Sequence, residues 1–159
     1  KMQTKVLTNL KDWRCKMERF KIITAVHLIL IENDRVLLLR RYNTGYEDGN
    51  YSVPAGHVEE DEDVIKAMQR EAFEEIGIKI KKEDLKTVHV MQRKAPDRES
   101  IDYFLLCKKY EGKIEIMEKN KCDDVRFFEL NKLPENTIPY IRKGIESYLH
   151  DEPFSILGW

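Results

Sequence analysis

Hydrophobic residues follow two different periods along this chain, and each period predicts a different kind of element. Residues 21–31 (KIITAVHLILI) are β-branched and almost wholly apolar, which is typical of a strand that is covered on both faces. The polar residues 32–35 predict a turn, and residues 36–39 continue as the returning strand. This part of the chain therefore predicts a hairpin whose strands are buried.

Two further segments have apolar residues at helical spacing. In residues 63–76 these form one stripe, which comprises Val64, Ile65, Met68, Ala72 and Ile76. Asp61 or Asp63 is suited to cap the start of this helix, and Gly77 follows where the helix would end. Residues 138–149 are also amphipathic. The sequence therefore predicts two helices that each bury one face.

Several shorter apolar segments predict the remaining strands. They are residues 85–93, 101–109, 113–117 (the weakest of the four) and 125–130. A polar loop, residues 94–100, joins the first two. The apolar segment 154–159 is expected to pack on the domain or on a partner subunit. Because helices alternate with strands, the chain predicts an α/β fold with layers around one mixed sheet.

The composition limits what kind of protein this is. With 159 residues, the chain is expected to form one domain. Its net charge of −1 produces no field that would recruit nucleic acid or an anionic membrane, and the sequence has no apolar run long enough for a spanning helix. The cysteines, Cys15, Cys107 and Cys122, are odd in number and lack metal-type spacing. They are typical of reduced intracellular thiols, so a cytoplasmic enzyme is expected.

Residues 1–20 are set apart from the predicted domain. They carry no apolar core like that of a signal peptide. Their apolar residues recur at helical spacing, so that a short amphipathic helix and an N-terminal extension, with Met17 as the natural start, both remain open. Residues 21–159 are interpreted as the single domain.

Three glutamates in the first predicted helix are the main candidates for chemistry. Glu71, Glu74 and Glu75 stand at helical offsets that place their carboxylates on one face, directly after Arg70. Clustered carboxylates are hard oxygen ligands that Mg²⁺ or Mn²⁺ accepts, together with water and phosphate oxygens. The alternative is a solvated, acid-rich helix in a chain that is 36% charged. An exposed like-charge pair costs only about 0.2–0.5 kcal/mol, so the spacing of the surrounding residues has to decide.

Residues 56–78 resemble the signature of the Nudix hydrolases. That signature is a glycine, five residues, a glutamate, seven residues, and then R-E-U-x-E-E-x-G-U, where U is a bulky aliphatic residue. The positions in register are Gly56, Glu62, Arg70, Glu71, Glu74, Glu75, Gly77 and Ile78. Ala72 is small for its aliphatic slot. The resemblance implies that residues 21–159 form a Nudix hydrolase domain, a three-layer α/β/α sandwich around a mixed sheet, with Mg²⁺ or Mn²⁺ as cofactor.

The resemblance also implies roles for the residues of the signature. Glu71, Glu74 and Glu75 would bind the metal, and one of them would accept a proton from the attacking water. Arg70 would orient these carboxylates through charge-assisted hydrogen bonds, with Glu62 in a supporting position. The backbone carbonyl of Ala55 or Gly56 would be a further metal ligand, although this chain has Pro-Ala-Gly where the family usually has Pro-Gly-Gly.

Four residues outside the signature are candidates for substrate binding: Arg40, Tyr51, Asp123 and Asp124. In several Nudix nucleotide hydrolases an acid just before the corresponding strand contacts metal or reads the base. By that resemblance Asp124 would contact metal and Asp123 would accept a hydrogen bond from a nucleobase amine. The alternative is a polar turn before a strand. Tyr42, Tyr46 and Tyr51 could stack on a base or cover the sheet.

The implied reaction is hydrolysis of the diphosphate bond in a nucleoside diphosphate linked to another group. The first expectation is conversion of a (deoxy)nucleoside triphosphate to a monophosphate and pyrophosphate. The alternatives are ADP-ribose, a nucleotide sugar or a dinucleoside polyphosphate, and a nucleotide-sensing module without turnover. Such modules tend to lose a signature glutamate, and all are present here, which favours an enzyme. The expected partner is a nucleotide, with no nucleic acid and no membrane, and a homodimer is expected by analogy.

Overall fold

The computed structural model describes residues 20–159. The interpretation of residues 1–19 as a helix or an extension therefore lies outside the described residues. Within the described part, no helix combines the length and apolar character that a membrane span requires.

The described chain contains two helices, α1 (Val64–Ile76) and α2 (Pro139–Leu149), and a single turn of 3₁₀ helix at Lys82–Asp84. Its strands are β1 (Ile23–Glu32), β2 (Arg35–Arg41), β3 (Tyr51–Ser52), β4 (Ala55–His57), β5 (Leu85–Ala95), β6 (Arg98–Cys107), β7 (Cys122–Glu129) and β8 (Phe154–Leu157).

The eight strands form one mixed sheet. Its main order is β3-β2-β1-β6-β5-β8, with β4 also paired to β1 and β7 to β2. β1 is central, because residues 23–30 pair in parallel with 100–107 of β6 while residues 25–27 pair with β4. β5 and β8 are also parallel, whereas the other pairs are antiparallel. The mixed sheet predicted from the sequence is confirmed.

Alternate residues of β1 point to opposite faces of the sheet and enter two separate cores. Val26, Leu28 and Leu30 pack with the buried face of α1, whereas Ile29 and Ile31 pack with the core of α2. Burying one such side chain contributes about 1.5–3 kcal/mol, so both faces need a helical cover. The result is the three-layer α/β/α arrangement that was predicted.

The ends of α1 are defined by the residues expected to cap it. Of the two candidate N-caps the structure uses Asp63, whose carboxylate accepts hydrogen bonds from the backbone N–H groups of Ile65 and Lys66 at 3.0 and 2.9 Å. Gly77 ends the helix in the left-handed conformation, with φ of 72°, and its N–H bonds to the carbonyl of Phe73. These caps determine where the signature glutamates lie along the helix.

Two predictions for loops and strands are wrong. Most of residues 94–100 belongs to β5 and β6, and only Pro96 and Asp97 remain in the turn between them. Residues 113–117 do not form a strand. Instead, the N–H groups of Glu115 and Met117 bond to carbonyls at the end of α1 at 3.1 and 3.0 Å. These terminal carbonyls have no partner inside the helix.

The apolar C-terminal segment packs on the domain, which was one of its two predicted positions. It forms β8, the strand at one edge of the sheet, and pairs in parallel with β5. His89 on β5 supports this contact, because its two ring nitrogens lie 2.8 Å from the carbonyl of Glu152 and 2.9 Å from the hydroxyl of Ser155.

Candidate active site

A cavity of about 390 Å³ lies between α1, β2, the β3–β4 segment and residues 118–122, and we call it the acidic cavity. Its charged lining residues are Glu59, Glu71, Glu74, Glu75 and Glu118 on the acidic side and Arg40, Arg41, Arg70 and Lys121 on the basic side. The three signature glutamates therefore face one common space, together with cationic groups suited to phosphate.

Arg70 holds the acidic residues of the signature in place. Its Nε and Nη2 atoms donate to the two carboxylate oxygens of Glu62 at 3.0 and 2.9 Å. Its Nη1 atom donates to Glu71 at 2.6 Å and to Glu74 at 3.3 Å, and Nη2 also donates to the carbonyl of His57 at 3.0 Å. The hydrogen bonds to Glu62 raise the pKa of Arg70, despite its partial burial. The guanidinium is thus anchored on Glu62 and presents one nitrogen to the cavity.

Glu71 lies against β4, where the residue opposite is a glycine. Its side chain is 13% exposed, and burial raises the pKa of its carboxyl, although the hydrogen bond from Arg70 opposes this shift. A Cβ atom on residue 56 would overlap the Glu71 carboxylate. Gly56 therefore provides the space that the Glu71 carboxylate occupies.

Glu75 receives less compensation from neighbouring groups than Glu71, which accepts a hydrogen bond from Arg70. Its carboxylate accepts a hydrogen bond from the backbone N–H of Ala55 at 2.9 Å. Burial raises the pKa of Glu75 to about 8, and the charges of Glu71 and Glu118 add to this, whereas the Ala55 hydrogen bond lowers it. Glu74, by contrast, is 52% exposed. The three glutamates share a helix face, but they lie at different depths.

The residues of the acidic cavity fit a divalent cation by their chemistry. Carboxylate oxygens are the donors that Mg²⁺ and Mn²⁺ select, and the raised pKa of Glu75 marks a site where negative charge lacks compensation. Within residues 20–159, no three His, Cys, Asp or Glu side chains converge closely enough to hold an ion as they stand. One carboxylate oxygen each of Glu71 and Glu74 accepts from Arg70, and one of Glu75 accepts from the Ala55 N–H.

The four candidate substrate-binding residues form two linked pairs. Arg40 lines the acidic cavity, and its Nε and Nη2 atoms donate to Asp123 at 2.8 and 3.0 Å. The Tyr51 ring is buried edge-on against Phe128, with 4.9 Å between the centroids, and its hydroxyl donates to Asp124. Of the four, only Arg40 borders the cavity.

Sequence reasoning missed four charged residues that line the acidic cavity: Arg41, Glu59, Glu118 and Lys121. Lys121 donates to Glu118 at 2.7 Å. Glu118 directly follows the segment that was predicted as a strand, and it reaches the cavity because residues 115–117 are bonded to the end of α1. A single acid in a glutamate-rich loop carries no spacing signal, so nothing in the sequence could have identified it.

Comparison with known proteins gives consistent results. A family model of the NUDIX domain matches residues 21–148. The chain is 29% identical over 125 residues to a protein named ADP-ribose pyrophosphatase from Methanocaldococcus jannaschii. The aligned segment covers 79% of this chain and 72% of that protein. A solved MutT NUDIX hydrolase from Burkholderia pseudomallei superposes with a TM-score of 0.74 at 22% identity, over 80% of this chain and 98% of that one. A MutT protein from Methanosarcina mazei gives 0.71 at 20% identity, over 85% and 97%.

Proposed function

The chain belongs to the NUDIX domain family, and we propose that it hydrolyses the diphosphate bond of a nucleoside diphosphate linked to another moiety. It is a Nudix hydrolase, and enzymes of this kind generally use divalent metal ions and act on small nucleotides. The observation that supports the proposed reaction is the acidic cavity, whose wall combines Glu71, Glu75 and Glu118 with Arg40 and Lys121.

We propose that Glu71, Glu74 and Glu75 hold Mg²⁺ or Mn²⁺, with the carbonyl of Ala55 or Gly56 as a further donor. A cation there supplies the positive charge that carboxylate and phosphate oxygens share, and it makes water a better nucleophile near neutral pH. For Glu75 to ligate, its carboxyl has to lose the proton that its raised pKa retains.

The remaining charged groups of the cavity would bind and align the diphosphate. Arg40 and Lys121 lie at its wall, where their charges would attract phosphate oxygens. Arg70 is anchored on Glu62, so it would keep the Glu71 carboxylate oriented through the reaction. Phosphoryl chemistry depends mainly on such positioning and charge neutralisation. One of the cavity glutamates would accept the proton of the attacking water.

Two substrate classes are the main candidates. The first is a (deoxy)nucleoside triphosphate, which would be cleaved to a monophosphate and pyrophosphate. The second is ADP-ribose, which is favoured by the similarity to the archaeal protein named ADP-ribose pyrophosphatase. In both, the cleaved bond is a phosphoanhydride between two phosphates of a nucleotide, so the acidic cavity would serve either one.

The test is a substrate panel of dGTP, 8-oxo-dGTP, ADP-ribose, UDP-glucose and diadenosine tetraphosphate, each with Mg²⁺, Mn²⁺ or EDTA. We expect turnover of at least one compound with metal and none in EDTA. Glu75→Gln should lower that turnover roughly 10³–10⁵-fold, or about 4–7 kcal/mol, because the substituted amide no longer offers an anionic ligand.

Glu115→Gln is the matched control, because Glu115 is an exposed acid paired with Lys113 outside the acidic cavity. It should retain wild-type turnover. A fully active Glu75→Gln enzyme, or turnover that persists in EDTA, would contradict the metal assignment. Micromolar nucleotide binding without any product would instead indicate a sensing module.

A further inference from the structure

A second cavity, of about 240 Å³, lies beside the acidic cavity, and we call it the basic cavity. It is bordered by β1, β4, the β5–β6 hairpin and α2, whereas α1 borders the acidic cavity. Arg41 and Ala55 line both cavities. A ligand that occupies one of them is therefore next to the entrance of the other.

The charges of the basic cavity are opposite to those of its neighbour. Arg41, Arg93 and Arg98 line it, and no aspartate or glutamate is among its lining residues in the described chain. The nearest compensating group is Asp102, which is fully buried and accepts a hydrogen bond from Nε of Arg93 at 2.6 Å. Asp102 thus compensates Arg93, whereas Arg41 donates to the carbonyl of Tyr46 and the hydroxyl of Thr44 at 2.7 and 3.1 Å. The cavity has a surplus of positive charge.

Three buried nitrogen atoms at the basic cavity have no hydrogen-bond partner among residues 20–159. The Nε atom of Arg98 is buried without a hydrogen bond, and the nearest carboxylate, on exposed Asp97, is 3.5 Å away. His27 is only 3% exposed, and neither of its ring nitrogens makes a hydrogen bond, although Nε2 lies 3.4 Å from Asp102. Because buried polar groups are nearly always paired, these unpaired nitrogens indicate that the basic cavity is suited to a polar ligand.

Aromatic rings also contact the arginines of the basic cavity. The guanidinium groups of Arg41 and Arg98 each lie 5.4 Å from the centre of the Tyr46 ring, and that of Arg93 lies 4.0 Å from the centre of Tyr140. A cation that packs on a ring face keeps N–H groups at its edge for other partners. Arg41 is therefore positioned without a carboxylate partner in the described chain, and Arg98 has only the 3.5 Å contact with Asp97, whereas Arg93 is also paired with Asp102.

We propose that the basic cavity binds the moiety attached to the nucleoside diphosphate, and that this moiety carries a phosphate monoester of its own, which the terminal ribose of ADP-ribose lacks. The inference rests on the proposed function, because it requires the diphosphate to lie in the acidic cavity. Arginine forks match phosphate oxygens in geometry and charge. A volume of about 240 Å³ is below the range of roughly 300–1,000 Å³ that holds drug-sized ligands, so it suits a sugar phosphate better than a second nucleoside.

The experiment is calorimetric titration of ribose 5-phosphate, with ribose as the uncharged probe, in EDTA and a buffer without phosphate. EDTA removes hydrolysis and metal binding, so the result does not depend on turnover. We expect ribose 5-phosphate to bind and ribose not to bind. Arg98→Gln should weaken binding by tenfold or more, and Arg98→Lys should weaken it less, because lysine retains the charge.

Arg35→Gln is the control, since Arg35 is an exposed arginine outside both cavities, and it should bind ribose 5-phosphate like the wild type. Circular dichroism verifies that each variant is folded, and Arg98→Lys provides the comparison if Arg98→Gln does not fold. Equal binding of ribose and ribose 5-phosphate would overturn the proposal, as would undiminished binding by a folded Arg98 variant.

The two proposals fail in different ways. If the substrate panel gives no product while ribose 5-phosphate binds through Arg98, only the proposed reaction is wrong. If a panel compound is hydrolysed while ribose 5-phosphate does not bind, only the phosphate-monoester inference is wrong.

Discussion

The acidic and basic cavities share a border, yet the pKa values of the carboxylates beside them, Glu75 and Asp102, are shifted in opposite directions. In the acidic cavity, burial raises the pKa of Glu75 to about 8, and neighbouring acids add to the effect. Beneath the basic cavity, burial also favours the neutral form of Asp102, but the neighbouring His27 imidazole and the ion pair with Arg93 outweigh it and lower the pKa to about 2.

Glu75 is half-buried and Asp102 is fully buried, so the lower pKa of Asp102 comes from its partners. Asp102 is fully buried, but it is paired with Arg93 and also accepts a hydrogen bond from Ser100 at 3.1 Å. Glu75 receives only a backbone N–H. A compensated buried charge supports the fold, whereas an uncompensated one is an expected site for a cation. Three variants or conditions test this comparison.

The largest effect is expected when the compensated carboxylate loses its partner. Arg93→Gln should lower the free energy of unfolding by about 3–5 kcal/mol, because it leaves the Asp102 charge buried without its guanidinium. Urea denaturation measures this loss. The double variant Arg93→Gln/Asp102→Asn should recover part of it, since both charges are then absent.

An exposed ion pair is the control for that comparison. Lys113 pairs with Glu115 at 3.0 Å, but both side chains are more than half exposed. Lys113→Gln should therefore leave the urea midpoint unchanged. A similar midpoint for Arg93→Gln and wild type would show that Asp102 is not held by Arg93 and would remove the contrast between the cavities.

The next effect concerns pH in the absence of metal. The folded pKa of Glu75, about 8, exceeds its ordinary value of 4.5, so the folded state binds the proton more tightly than the unfolded state. This contribution to stability is fully present below about pH 4.5 and is lost as pH rises through about 8. In EDTA, the free energy of unfolding should fall across this window, with a limiting slope of about 1.4 kcal/mol per pH unit for one group.

Glu75→Gln isolates that contribution, because glutamine does not titrate. Urea denaturation at pH 5.5 and 8 should show a smaller decrease for the variant than for the wild type. Asp102 has the opposite sign, since its lowered pKa stabilises the fold above about pH 4 and this stability is lost as pH falls through 2. Equal slopes for wild type and variant would mean that Glu75 is not protonated in the folded, metal-free protein.

The smallest effect on stability is expected from Gly56→Ala. The new methyl group would overlap the Glu71 carboxylate, which is the end of a flexible side chain and can move aside. We expect turnover to fall at least tenfold, because Glu71 is displaced, while the midpoint of thermal unfolding changes little.

Gly144→Ala makes the same chemical change on the other side of the sheet. There the methyl group would overlap the rigid ring of Phe104, so overpacking should cost about 1–3 kcal/mol of stability. Comparing the two variants therefore distinguishes a flexible side chain that can move away from the new methyl group from a packed ring that cannot. Full turnover in Gly56→Ala would show that the position of the Glu71 carboxylate is not required.

The elements that the sequence predicted correctly are those with strong local signals. The strand β1 has an unbroken apolar run, and α1 has an apolar stripe, an aspartate cap and a terminal glycine. The predictions failed where a distant partner decided the conformation. Residues 113–117 have the alternation of a strand, but the free carbonyls at the end of α1 bind them instead. The hairpin of β5 and β6 extends through polar residues because each strand pairs with the other.

The sequence by itself determined that a rigid helix carries Glu71, Glu74 and Glu75 beside Arg70, because helical geometry places residues three and four apart on one face. Only the tertiary structure decided which glutamate lies deepest, that Glu118 joins them, and that three arginines form a cavity on the α2 side. The reason is physical: desolvation and charge interactions depend on distances through space and on burial, and these groups are brought together by strands that are far apart along the chain.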